Sequence, residues 1–237
     1  MAKQQERKGI QTHAVSLITL VDPSSPISEQ YRTIRTNIQF ASSADQQIKT
    51  LVVTSSGPGE GKSTTSANLA VVFAKSGQRV LLVDADMRKP TVHKTFNLLN
   101  NVGVSTVLST STNLAEAAQQ TVIDNLSILP SGPKPPNPSE LLGSSRMNQV
   151  MAEAKKLYDI VIFDMPPVVA VTDAQIMASK ADGTILVVRE NVSRKEPLTK
   201  AKELLNMVQA RVLGVVYNGA ENKQRFRLLL LLRELMN

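Results

Sequence analysis

Residues 55–64 read Ser-Ser-Gly-Pro-Gly-Glu-Gly-Lys-Ser-Thr, directly after the apolar run Leu51-Val52-Val53 and before a segment with helical patterning. Strand, glycine-rich loop, Gly61-Lys62-Ser63 and helix, in that order, predict a Walker A loop. In it, backbone N–H groups and the start of a helix at Lys62 wrap an anionic phosphate. The lysine then reaches the β- and γ-phosphates, and the Ser63 hydroxyl suits Mg2+. In the usual G-x-x-x-x-G-K-[ST] spacing the first glycine falls on Ser56, whereas the glycines here are Gly57, Gly59 and Gly61. The candidate nucleotide-binding set is Gly57, Pro58, Gly59, Glu60, Gly61, Lys62, Ser63 and Thr64. Lys62 is expected to face solvent and to contribute little to the core.

The chain alternates strand and helix. Short apolar runs predict strands at Leu51–Ser55, Val80–Asp84, Leu126–Leu129, Ile160–Asp164, Thr184–Val188 and Val212–Tyr217. Runs apolar throughout imply burial on both faces. The expected fold is therefore α/β, a doubly wound, mainly parallel sheet with helices on both faces. Helices are clearest at 62–76, closed by Gly77, at 144–157 and at 193–208. An earlier helix, "EQYRTIRTNIQF", has Ser28 as its candidate N-cap and buries Tyr31, Ile34 and Ile38. The Pro-dense stretch 130–142 reads as a loop within the domain, so 237 residues form one domain with extensions at 1–26 and 221–237. In such sheets ligands bind beyond the carboxyl ends of the strands.

Composition narrows the partners. The formal charge of +7 favours an acidic one, but with 3% aromatic residues a base-stacking surface is the weakest candidate, so no nucleic acid is expected. The chain has no cysteine and no apolar run long enough to cross a bilayer, and its start, without an apolar stretch behind the basic residues, leads to the expectation of no signal peptide. A cytoplasmic location is expected.

Two further polar motifs fall at strand ends. Val80–Val83 runs into Asp84-Ala85-Asp86-Met87-Arg88, and Ile160–Phe163 runs into Asp164. A carboxylate there can hold Mg2+ or accept a proton from an attacking hydroxyl, or it can simply shape a turn. Three such carboxylates in a chain with Gly-Lys-Ser favour the chemical role. His13 and His93 have no metal-ligand spacing.

"TSSGPGEGKST", "LLVDADMRKP" and "VIFDMPP" closely resemble the Walker A, A′ and B motifs of the bacterial tyrosine kinases, or BY-kinases, of capsule and exopolysaccharide clusters (the CpsD/CapB family). The resemblance extends from "SEQYRTIRTNI" through "SGPKPPNPSELL" to "GVVYNG". It implies a ParA/MinD-like P-loop fold, with ATP and Mg2+ as cofactors and the γ-phosphoryl group transferred to protein tyrosine. Lys62 and the loop amides from Gly57 to Ser63 would hold the phosphates. Ser63 and, through water, Asp164 would hold Mg2+. Asp84 and Asp86 would organise the metal and act as base, in an order left open. Arg88 would steady the transferring phosphate or pair with a carboxylate, and Asn218 would contact adenine or form a turn with Gly219. Glu29, Arg32 and Arg35, spaced to lie near one helix face, would form the contacts of a homo-oligomeric ring.

The same resemblance implies a transmembrane activator that recruits the chain to the inner face of the membrane, membrane contact being mainly through that activator. Partitioning ATPases of the ParA/MinD type carry an extra lysine five residues before the Walker lysine. That position is Gly57, which disfavours their mechanism. A regulatory nucleotide-binding subunit of a polysaccharide assembly complex is the other alternative. BY-kinases usually end in a tyrosine cluster, but here no tyrosine follows Tyr217, and Leu228–Leu232 stand flanked by Arg225, Arg227 and Arg233. Tail autophosphorylation is therefore not expected. Tyr31, Tyr158 and Tyr217 are read as structural.

Overall fold

A computed structural model describes residues 16–42 and 47–219. The leucine run Leu228–Leu232 with its flanking arginines, and His13, lie outside those residues. Strands β1 (Thr50–Ser55), β2 (Val80–Asp84), β3 (Gln119–Gln120), β4 (Leu126–Leu129), β5 (Ile160–Asp164), β6 (Gly183–Arg189) and β7 (Val212–Asn218) form one sheet, in the order β3-β4-β2-β5-β1-β6-β7. Every pairing is parallel except the short β3–β4 edge.

Alternation along the strands divides the core into two layers. Leu51, Val53, Leu82 and Ile162 face helices α1 (Ile18–Val21), α2 (Pro26–Phe40) and α3 (Lys62–Ala74). Val52, Leu81, Val161 and Phe163 face the opposite layer. Short helices α4 (Val92–Thr95), α5 (Val104–Ser109) and α6 (Leu114–Ala117) follow β2. Helices α7 (Pro138–Gly143), α8 (Ser145–Leu157), α9 (Asp173–Ala178) and α10 (Lys195–Met207) complete the chain's helical set among the described residues. The expected doubly wound fold is what forms, because strands buried on both faces leave each side needing a helical cover.

Three local expectations change. The N-cap of α2 is Ser25, not Ser28: its Oγ accepts the Ser28 N–H at 3.2 Å, and Pro26 takes the first helical position, where its missing N–H costs nothing. Ser28 is buried one turn in, its hydroxyl donating to the Asp22 carbonyl at 2.7 Å. The Pro-dense loop contains α7, begun by Pro138. Residues just before α2 also pack closely, with Thr19 Oγ1 donating to Asn68 Oδ1 on α3 at 2.9 Å.

Glu29, Arg32 and Arg35 do not form a single solvent-facing stripe. Arg32 Nε donates to Glu29 Oε2 at 2.7 Å and its NH2 to the Pro23 carbonyl at 2.9 Å, so both remain at the surface. Arg35 turns inward, and its NH1 donates to the Val72 carbonyl of α3 at 3.0 Å. Positions i and i+6 differ by about 120° around a helix, enough to send the third charge to another neighbour.

Candidate active site

The parallel order places β1 between β5 and β6, so the loop after β1 is flanked by the ends of β5, β2 and β6. That loop turns on Gly59 (φ 77°) and Gly61 (φ 95°), both left-handed, with Gly61 as N-cap of α3. The amides of Lys62, Ser63 and Thr64 form the first helical turn and have no intrahelical acceptor, which suits an anion.

Not every loop amide is available to a phosphate. Pro58 has none, and the Gly57 N–H donates to Glu60 Oε2 at 3.1 Å. The Glu60 carboxylate is buried and folds back on its own loop. It accepts from the Ser56 N–H at 2.8 Å, the Ser56 hydroxyl at 2.7 Å and the Ser193 hydroxyl at 2.6 Å. Its role as an internal brace corrects the expectation that amides from Gly57 onward all cradle phosphate. Its proximity to Ser193, 133 residues away, left no trace in the local spacing. Glu60→Ala is expected to weaken nucleotide binding about tenfold, since the Ser56 and Gly57 N–H groups and the Ser56 and Ser193 hydroxyls lose their shared acceptor. Titration with a fluorescent ATP analogue measures this.

Asn218, at the end of β7, also bears on the loop. Its Nδ2 donates to the Glu60 carbonyl at 3.1 Å and to Thr65 Oγ1 at 3.2 Å. A Cβ at Gly61 would displace that side-chain nitrogen from the loop, a cost added to that of the left-handed φ.

The Lys62 side chain is only 14% exposed, contrary to the solvent-facing expectation. Its Nζ donates to Asp86 Oδ2 at 2.9 Å and stands 4.0 Å from Asp164 Oδ1. The β2–β5 register sets Asp84 directly opposite Asp164, at the ends of neighbouring strands. Asp84 Oδ2 accepts the N–H groups of Thr91 and Val92 at 3.0 and 2.9 Å, while Asp164 Oδ1 accepts the Ser66 hydroxyl at 3.1 Å. Burial, with the Asp164 charge alongside, pushes the Asp84 carboxyl up to about 8. Burial also raises Asp164, against the pull of Lys62 and the Ser63 hydroxyl. Burial alone would lower the Lys62 ammonium, but Asp164, Asp86 and Asp84 outweigh it and hold it above its ordinary value.

Two buried carboxylate oxygens, Asp84 Oδ1 and Asp164 Oδ2, have no hydrogen-bond partner. Unpaired buried oxygens on adjacent strand ends fit a hard divalent cation. Mg2+ takes one or two carboxylates together with substrate phosphates, and Asp84 and Asp164 stand side by side at the strand ends next to the phosphate loop.

Arg88 pairs with a carboxylate. Its Nε and NH2 donate to Asp173 Oδ2 and Oδ1 at 2.9 and 3.0 Å, and Asp173 is fully buried at the start of α9. In the sequence Asp173 is one acidic residue in "VTDAQ", with no motif around it.

The family model described as an AAA domain matches residues 48–213. Tyrosine-protein kinase YwqD of Bacillus subtilis is 52% identical over 204 residues, covering 86% of each chain. The chain belongs to the bacterial tyrosine-kinase family. The solved kinase domain of the Escherichia coli tyrosine kinase ETK matches this kinase with a TM-score of 0.83 at 31% identity, over 90% of this chain and 85% of that one. The Pyrococcus furiosus cell division ATPase MinD matches with a TM-score of 0.61 at 24% identity, over 74% of each chain, a likeness of fold alone. No helix among the described residues of this kinase is long and apolar enough to cross a membrane.

Proposed function

We propose that the chain transfers the γ-phosphoryl group of ATP to protein tyrosine, in the control of capsule or exopolysaccharide synthesis. The observation that carries this reading is the Lys62 ammonium set among Asp84, Asp86 and Asp164 at the mouth of the phosphate loop. Phosphoryl transfer asks mainly for positioned charge, and this cluster supplies both signs within one small volume.

Lys62 begins committed to Asp86. Reaching the β- and γ-phosphates exchanges that carboxylate for phosphate oxygens and leaves Asp86 free to accept the tyrosine proton. Asp84 suits the base role less, since two backbone N–H groups already occupy one of its oxygens. Asp84, Asp164 and Ser63 would hold Mg2+, which when bound supplies the positive charge that neutralises the phosphates. Asn218 steadies the loop next to the nucleotide, and Arg88 serves through Asp173.

Incubation with labelled ATP, Mg2+ and a soluble Glu-Tyr polymer, followed by phosphoamino-acid analysis, tests the reading. Phosphotyrosine on the polymer is the expected product, and release of inorganic phosphate alone would refute it. Little label is expected on the chain's own Tyr31, which is 6% exposed.

Assembly is proposed to be a homo-oligomeric ring using α2, recruited to the inner face of the membrane by a transmembrane activator. Changing Glu29, Arg32 and Arg35 together to alanine is expected to lower the oligomer mass in light scattering. Because Arg35 also binds Val72, the triple variant should lose about 1 kcal/mol of stability as well. Glu29→Ala with Arg32→Ala, which leaves the Arg35–Val72 bond in place, separates the two effects.

A further inference from the structure

The segment between β2 and α4 carries Asp84, Asp86 and Arg88, and three of its attachments are internal or reach the phosphate loop. Asp84 holds the Thr91 and Val92 amides, Asp86 Oδ1 holds the Lys89 amide at 3.0 Å, and Asp86 Oδ2 meets Lys62. Arg88 differs, because it ties this segment to α9, on the far side of the strand end that bears Asp164.

The partner end is a fixed frame. Thr54 Oγ1 donates to the Pro166 carbonyl at 2.8 Å, the Val168 N–H to the Ser55 carbonyl at 2.9 Å, and Gln175 Nε2 on α9 to the Val168 carbonyl at 3.3 Å. The connection from Asp164 to α9 is thus stitched to β1. Asp173 is 0% exposed, while the Arg88 side chain remains 37% exposed. A fully buried carboxylate has strong need of its cation, whereas a partly exposed arginine could find hydration elsewhere. The fork of two parallel N–H···O bonds also fixes orientation, which a single contact does not.

We propose that Asp173 is a positioning residue for phosphoryl transfer: through the Arg88 fork it locks the Asp84–Asp86 segment to the Asp164 frame and so sets Asp86 against Lys62. The proposal rests on the kinase reading above. When Lys62 leaves Asp86 for the phosphates, the carboxylate loses its main tether. The Arg88–Asp173 fork, two residues along, then remains to hold the segment in place for the proton it must take. The latch therefore acts during turnover and contributes little to nucleotide capture, which depends on the loop amides and Lys62.

The test uses the full chain with four variants: Asp173→Asn, Asp173→Glu, Arg88→Lys, and Arg88→Lys with Asp173→Asn. Asn keeps the shape and removes the charge, and Lys keeps the charge and removes the fork. Expected for Asp173→Asn and Arg88→Lys is a kcat at least 30-fold lower, with affinity for a fluorescent ATP analogue within threefold of the parent. The double variant should be no worse than the more damaged single one, and Asp173→Glu should recover part of the rate. An unchanged kcat in Asp173→Asn overturns the proposal, as does a rate loss that tracks lost nucleotide binding and a lower Tm, the mark of a merely structural pair. Failure of the kinase reading looks different: the parent itself would bind nucleotide and label no tyrosine. The same variants are then compared in ATP hydrolysis, where an unchanged rate in Asp173→Asn again overturns the latch.

Discussion

Lys62→Met should lower phosphoryl transfer by about three orders of magnitude, as expected when a preorganised charge aimed at the transferring group is removed. The side chain faces three carboxylates, and no other lysine or arginine makes an ion pair to Asp84, Asp86 or Asp164 among the described residues. Burial of Lys62 adds a second effect. Methionine relieves the cost of a buried ammonium but strips Asp86 and Asp164 of their cation. A loss of about 1–3 kcal/mol at pH 7 is expected, limited by proton uptake on the carboxylates. Single-turnover assays with melting curves on the same preparations measure both. Transfer at near the parent rate would remove Lys62 from the mechanism.

Asp84→Asn is expected to stabilise the nucleotide-free fold while lowering transfer about a hundredfold or more. In the folded chain the Asp84 carboxyl is raised from its ordinary value to about 8. Between those limits the unfolded chain ionises and the folded one does not, so the group costs stability increasingly as pH rises from about 4 to about 8. Below that window the cost vanishes, at pH 7 it is at most roughly 4 kcal/mol, and above about pH 8 it is constant at no more than roughly 6 kcal/mol. Asparagine abolishes this slope. Its oxygen still accepts the Thr91 and Val92 amides, and its N–H2 takes the place of Asp84 Oδ1, which has no partner. The gain in Tm should be several degrees at pH 8 and close to none at pH 4. A gain independent of pH, or a loss at pH 8, would contradict the assignment.

The sequence made six of the seven strands legible to within about a residue, because runs apolar throughout have few alternatives in a chain with a phosphate loop between strand and helix, whereas the two-residue edge strand Gln119–Gln120 carries no apolar signal. The residues that meet at the site were readable for the same reason. Lys62, Asp84, Asp86 and Asp164 all follow strands that pair in register, so strand ends alone bring them together. What stayed hidden depends on contacts made across the chain. Ser193 and Asp173 are ordinary residues until folding places one against Glu60 and the other against Arg88. Likewise the burial of Lys62 and the inward turn of Arg35 depend on neighbours from other elements. The Ser25 cap does have a local signal, since Pro26, a strong marker of the first helical position, follows it directly.

The clamp of Asn218 on the phosphate loop also sets an order of events during synthesis. Glu60 and Thr65 leave the ribosome early, yet the side chain that fastens them lies 158 and 153 residues further along. Ser193, which fastens the Glu60 carboxylate, is also late. Until β6 and β7 dock, a nascent chain holds the complete Gly-Lys-Ser motif on a loop that lacks its far-side supports. Such distant closures come late because their chain entropy must be met before they return anything. A growing chain should therefore gain ATP affinity in one late step, as the final strand joins the sheet, rather than when its phosphate-binding motif first emerges.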